Sequence, residues 1–288
     1  MRLVIGAAQF GLSYGVANKG GKVSEDEVRK ILTKARHFGI NLLDTAIAYG
    51  DSESVLGSVG INQWGVITKL PCIPLHAVDI SYWMQNQIEQ SIKRLNLKSV
   101  DTVLLHRPEQ LLGDRGSEIL FALQALKTTK LTKKIGISIY SPLELDHFDV
   151  AQNFDVIQAP LNILDRSLIE SGWLKKLNLL QIEIHVRSIF LQGLLLMNPE
   201  ERPSKFSKYS NLWIEWDRWL AENNFSALEG CLAFINSIQG IDGVLVGIES
   251  VEQLNQIITA SNLKLKNMPS WPKNIDPNLI NPALWASL

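Results

Sequence analysis

The sequence predicts an α/β protein folded as a (β/α)8, or TIM, barrel, and three observations predict it. Short apolar runs alternate with amphipathic segments of helical period eight times in about 260 residues. The apolar runs are continuous, as parallel strands buried on both faces require. A doubly wound sheet would carry GxGxxG after its first strand, but "GAAQFG" (6–11) lacks the central glycine and no Walker A loop occurs.

Residues 2–8 supply the first strand. "SEDEVRKILTKARHFG" then sets Val28, Ile31, Leu32, Ala35 and Phe38 on one helical face; Ser24 and Glu27 read as a capping box and Gly39 as the stop. "INLLD" (40–44) is strand two, followed by a short helix around 52–59 whose neighbouring acids, Asp51 and Glu53, read as charges that complement the helix dipole. "WGVITK" (64–69) is strand three, a helix over 79–95 has apolar residues at 80, 84, 88, 92 and 95, and "SVDTVLLH" (99–106) is strand four. A helix over 117–128 precedes "KKIGIS" (133–138), after which Ser141, Pro142 and Glu144 mark another capped helix start. "FDVIQAP" (154–160), a helix near 166–176, "QIEIHVRSI" (181–189), helices across 209–237 and "IDGVLVG" (241–247) continue the series, and Ser250 with Gln253 caps the last helix. Trp213, Trp216 and Trp219 share one helical face and read as core packing or a subunit contact. The stretch 198–208 reads as a long loop after strand seven, of the kind that forms lids. The tail 263–288, with Pro269, Trp271, Pro272 and Trp285, is expected to lie against the barrel, so that residues 1–288 form a single barrel domain.

Composition narrows the function classes. A formal net charge of −1 and 20% charged residues provide no electrostatic basis for nucleic acid or an anionic membrane as partner. Cys72 and Cys231 form no CxxC or Cys/His cluster, which points to a reducing compartment and no structural zinc. His37, His76, His147 and His185 likewise lack metal-ligand spacing. The glycine-broken N-terminus resembles no signal peptide and no stretch reaches the roughly 18 apolar residues of a membrane span, so a cytoplasmic protein is expected.

Barrel enzymes place their chemistry at the C-terminal ends of the strands. Asp44 ends strand two, Lys69 strand three and His106 strand four, and Tyr49 follows in the loop after Asp44. Singly, each has an ordinary explanation: a turn acid, a solvated lysine, a satisfied polar histidine, a packed tyrosine. Together on consecutive strands at one rim, they form a candidate site for proton chemistry. The substrate wall would come from the neighbouring loops: Tyr14, residues 71–76, Arg107 and residues 194–209.

These segments resemble the aldo-keto reductase family. "DTAIAYGDSESVLG" (44–57) is similar to its DTAxxYGxSExxLG signature, "VITKL" to its lysine strand and "VDTVLLHRP" to its histidine strand; "VRSIFLQGLL" and "VLVGIESVEQL" look like its cofactor segments on strands seven and eight. The resemblance implies that Asp44, Tyr49, Lys69 and His106 are a catalytic tetrad reducing an aldehyde or ketone, or running the reverse oxidation, with hydride from a nicotinamide cofactor, typically NADPH. A tyrosine, with an ordinary pKa of about 10, donates a proton readily at neutral pH only when a cation favours its ionised form. Lys69 would supply that cation, Asp44 would hold it, and His106 would orient the carbonyl oxygen and share the proton transfer. The resemblance further implies cofactor contacts at Gln9, Ser138, Gln158, Arg187, Ser188, Gly193, Gly247, Glu249, Ser250 and Gln253. Three positions depart from the family pattern. Ile139 stands where asparagine is common, Arg187 where an aromatic ring stacks on the nicotinamide, and Glu249 near where a basic residue meets the adenosine 2'-phosphate, which makes NADH the alternative cofactor. Two rival readings are a cofactor-binding redox sensor with little turnover and a lyase or isomerase using Lys69 as a Schiff-base nucleophile.

Overall fold

Eight parallel strands form a closed barrel in chain order, β1 (Leu3–Gly6), β2 (Leu42–Asp44), β3 (Gly65–Leu70), β4 (Val100–Leu105), β5 (Thr132–Ser138), β6 (Val156–Pro160), β7 (Glu183–Arg187) and β8 (Gly243–Gly247), with β8 pairing back to β1. The structure is a computed structural model of the chain and describes residues 2–265, 269 and 275–287. Around the barrel lie α1 (Glu25–His37), α2 (Ser52–Val59), α3 (Ile80–Leu95), α4 (Gly116–Thr128), α5 (Trp173–Leu179), α6 (Ser210–Asn223), α7 (Ala227–Asn236) and α8 (Val251–Ala260), with shorter turns between. Among the described residues no helix is long and apolar enough to cross a membrane, and no cluster of three or more His, Cys, Asp or Glu can hold a metal ion.

The continuous apolar runs have a direct cause. Along a strand, alternate residues face opposite sides. Val4, Leu42, Ile67, Leu104, Val156 and Leu245 pack together as a separate cluster inside the barrel, whereas Ile5, Leu43, Val66, Val103, Ile157 and Val246 join the larger core beneath the helices. Two residues on from the inner cluster, the same period puts Asp44, Lys69, His106, Gln158 and Gly247 on the inner side at the C-terminal rim. The inner cluster is therefore a dry floor under a polar ring.

Several elements differ from the sequence expectation. Ser24 caps α1 by accepting from the Glu27 amide, but the Glu27 side chain does not return to Ser24; it accepts from the Val251 amide at 3.0 Å and pairs with Lys30. After β5 the capping box at Ser141 and Glu144 is present, yet it starts a 3-10 turn, Pro142–His147, in place of an α-helix. Phe148 is extended and ends the turn, and Asp149 caps a separate short helix at Val150–Asn153. The helix expected near 166–176 is divided between Ser167–Glu170 and α5 by Gly172 at φ 81°. The long loop after β7 is tied down: Arg202 grips Asp217 through two hydrogen bonds, Lys19 pairs with Glu201, and Phe206 is fully buried. Trp213, Trp216 and Trp219 are buried, so their stripe is core packing.

Beyond the barrel, Trp285 packs against Phe206 with ring centroids 4.9 Å apart, and Tyr209 donates to Asp276 at 2.7 Å. Arg166 donates to the Pro269 carbonyl oxygen at 3.2 Å. Trp271 and Pro272 lie outside the described residues.

Glu53 is the largest local departure. Its side chain is not a surface charge at a helix end but is 2% exposed, accepting from Thr68 Oγ1 at 2.7 Å, Ser91 Oγ at 2.6 Å and Arg94 Nε at 2.9 Å. One carboxylate thus ties α2 to both β3 and α3. Removing one partner of a buried ion pair strands the others, at a cost of about 3–5 kcal/mol. Glu53→Ala is accordingly expected to lower the free energy of unfolding by about that amount in a urea titration; a loss within experimental error would contradict the clamp.

Candidate active site

The loop after β2 is built to deliver a tyrosine. Asp44 O accepts from the Ala7 amide at 2.8 Å and the Thr45 amide donates to Ile67 O at 2.8 Å, which fixes the strand end on both sides. Thr45 Oγ1 and Ser52 Oγ, both fully buried, share a hydrogen bond of 2.9 Å, and Ser52 Oγ donates to Ala7 O at 2.8 Å. The turn between them closes through Tyr49 N to Ala46 O and Ser52 N to Tyr49 O, both at 3.0 Å. Gly50 sits at φ 53°, where a Cβ would lie 2.6 Å from Gly11 O, and a Cβ on Gly11 would lie 1.9 Å from Tyr49 O. Glycine at both places lets the loops after β1 and β2 interlock, and this holds Tyr49 over the barrel mouth.

At that mouth one chain of hydrogen bonds crosses four strands. Ser138 Oγ donates to Gln158 Oε1 at 3.1 Å, and Gln158 Nε2 donates to Asp44 Oδ2 at 2.7 Å. Asp44 Oδ1 accepts from Lys69 Nζ at 2.5 Å; Lys69 Nζ also donates to Thr45 O at 2.9 Å and reaches the Tyr49 hydroxyl at 3.5 Å. The His106 ring lies edge-on to Tyr49 with centroids 5.9 Å apart. Burial works against the Lys69 ammonium, but the Asp44 carboxylate and the Tyr49 oxygen outweigh it and hold the lysine pKa above its ordinary value. His106 is pushed the other way, to about 3, by burial first and then by the positive charges of Lys69, Arg187 and Arg107. Its imidazole is neutral in the physiological range.

Tyr49 and His106 open into a cavity of about 1270 Å³ that runs to α8. Gln9, Ser138, Gln158, Arg187, Ser188, Gly193, Gly247, Glu249 and Gln253 all line it. Ser250 is not among the lining residues; its hydroxyl caps α8 by accepting from the Gln253 amide at 3.2 Å. A Cβ on Gly247 would lie 2.5 Å from the Gln9 amide nitrogen, so the Gln9 side chain rests directly on the glycine and would have to move aside for any larger residue.

Residues 2–269 match the family model described as the aldo/keto reductase family. The chain belongs to that family. It is 26% identical over 274 residues to "Aflatoxin B1 aldehyde reductase member 2" of Rattus norvegicus, covering 77% of this chain and 72% of that protein. It is also 28% identical over 166 residues to the aldo-keto reductase YhdN of Bacillus subtilis (strain 168), a match covering 52% of this chain and spanning only 47% of that relative's length. The solved holo form of an aldo-keto reductase from Bacillus halodurans shares the fold at a TM-score of 0.69 and 19% identity, over 98% of this chain and 91% of that one.

Within this aldo/keto reductase chain the four tetrad candidates converge at one rim, although Lys69, 1% exposed, lies behind the cavity wall rather than in it. That placement opposes the lyase reading, because a Schiff-base lysine must be unpaired and reachable. Of the expected substrate wall, Tyr14, Leu196 and Asn198 line the cavity; residues 71–76 and Arg107 do not. Tyr140 also lines it and was not anticipated. The Arg187 guanidinium lies 4.6 Å from the Tyr140 ring centroid and donates to Ile139 O at 2.8 Å, so the backbone of Ile139 and its neighbour's ring fix the arginine. The available signal was an aromatic directly after the fifth strand, in "ISIYSP".

The depressed His106 pKa has a defined sign. Its folded value of about 3 lies below its ordinary 6.5, so its contribution to stability is present above about pH 6.5 and is lost as pH falls toward 3. The His106 imidazole resonances are therefore expected to stay at their neutral positions from pH 8 down to about pH 4 in an NMR titration; a midpoint near 6.5 would contradict this environment.

Proposed function

We propose that the protein catalyses reduction of an aldehyde or ketone to an alcohol, and the reverse, using a nicotinamide dinucleotide, NADPH or NADH, with Tyr49 as the proton donor. The observation that carries the proposal is the Lys69 ammonium, 3.5 Å from the Tyr49 hydroxyl at the mouth of a cavity. Family membership supports the reaction class.

A carbonyl oxygen becomes alkoxide-like as hydride arrives at its carbon, and needs a proton in the transition state. Tyr49 points its hydroxyl at the cavity and gives up that proton; Lys69 stabilises the tyrosinate left behind. Asp44, with one oxygen on Lys69 and the other on Gln158, keeps the ammonium charged in a site that excludes water. His106, being neutral, presents at most one N–H to the carbonyl oxygen. That N–H orients the substrate and can share in the proton transfer from Tyr49.

The residues fit a dinucleotide. Small-molecule pockets hold about 300–1,000 Å³, and this cavity exceeds that range, leaving space for a substrate beside an extended cofactor. The buried Ser138–Gln158 pair, fixed by Asp44, offers an amide edge for a carboxamide. When bound, the reduced nicotinamide supplies the hydride that no side chain can. A small carbonyl compound as substrate and a cytoplasmic setting belong to the same proposal; the latter is supported by Cys72 and Cys231 both being free thiols.

Tyr49→Phe tests the role of the phenol. Single-turnover hydride transfer to a reactive aldehyde is expected to slow by about 10²–10⁴-fold, while dinucleotide affinity stays at the wild-type value. Near-normal turnover would remove Tyr49 as the acid.

A further inference from the structure

The charges along the cavity are unevenly placed. Among its described lining residues Arg187 is the single lysine or arginine, and it lies with Tyr140 beside the candidate tetrad. Along the loop after β8 and the start of α8 the charged lining residues are Glu249 and Glu252, and Glu229, in the first turn of α7, lines the same cavity. A molecule anchored at Tyr49 and long enough to fill the cavity meets acids, with no lysine or arginine among the described residues beside them.

Three of the backbone amides there are also committed. A helix N-terminus ordinarily binds anions through free N–H groups. Here the Val251 amide donates to Glu27 Oε1 at 3.0 Å, the Gln253 amide to Ser250 Oγ at 3.2 Å, and the Glu249 amide to Gln253 Oε1 at 2.8 Å. The Val251 amide holds the Glu27 carboxyl below the usual carboxylate range. The start of α8 thus already carries an anion supplied by α1. Lysine is present nearby, since Lys30 and Lys34 line a separate surface groove with Glu27 and Val251, but Lys30 is paired with Glu27 at 3.3 Å.

A phosphate monoester is held best by cations, and among the described lining residues this end offers none; its remaining donors are neutral amides such as those of Asn255 and Gln256. A ribose hydroxyl is a donor, which a carboxylate accepts. We propose that the far end of the cavity selects the 2'-hydroxyl of NADH and rejects the 2'-phosphate of NADPH, and that Glu249 is the side chain that makes the choice. The inference rests on the dinucleotide reading and goes beyond it by naming the cofactor form, which the family resemblance alone would set as NADPH.

Calorimetric titration of the full chain with NADH and with NADPH tests it without turnover. NADH is expected to bind at least about tenfold tighter, because like-charge contacts penalise the wrong ligand. That preference is expected to narrow as salt rises from about 0.05 to 0.5 M, which screens repulsion. ADP-ribose and its 2'-phosphate should show the same order, locating the effect at the adenosine end. Glu249→Gln is expected to strengthen NADPH and weaken NADH, and Glu249→Arg to reverse the preference; circular dichroism checks that each variant is folded, and the salt series on the unaltered chain is independent of both. Equal or tighter binding of NADPH by the unaltered chain would overturn the selection while leaving the dinucleotide reading intact. Binding of neither dinucleotide would overturn that reading and this inference with it.

Discussion

A lysine ammonium with 1% of its side chain exposed survives inside a barrel only beside a fixed counter-charge, and the polar rim of this protein is organised around meeting that demand. Asp44 can serve because β2 ends at its carbonyl, held by β1, and because Gln158 occupies its second oxygen. Gln158 is in turn held by Ser138, so satisfying one cation positions groups on β2, β3, β5 and β6 at once. The floor of Val4, Leu42, Ile67, Leu104, Val156 and Leu245 keeps water from reaching the pair from below. Charge, dryness and geometry are therefore one arrangement.

Much of this was legible because the relevant code is short-range. A period of two decides which strand residues face inward, so apolar positions at 42, 67, 104 and 156 place polar residues at 44, 69, 106 and 158 on the same side without knowledge of the tertiary structure. Strand order and the assembly of the tetrad follow from that period together with the chirality of parallel connections. Gln9, Ser138, Gln158 and Gly247 were found through family resemblance, and all line the cavity.

What escaped depends on partners distant in sequence. Glu53 carries the local marks of a helix-start acid, and only the approach of Ser91 and Arg94, about forty residues later, turns it into a buried clamp. Glu27 fits a capping box by spacing, but α8, more than two hundred residues away, competes for its carboxylate and wins. The capping box at Ser141 was real, while the length of the element behind it was set by Phe148 turning extended. Local patterns state what a residue can do; packing decides which of its options is taken.

The Glu27–Val251 hydrogen bond joins the first helix of the barrel to its last, across the seam where β1 meets β8 and the two ends of the sheet come together. The carboxylate of that clasp lies outside the cavity, in the separate groove it shares with Lys30, Lys34 and Val251. The recorded hydrogen bonds of Glu249 stay within its own loop and helix, whereas Glu27 spans the seam that β1 and β8 close. The acid in the cavity wall can change without cost to the closure of the ring, and the acid at the seam cannot.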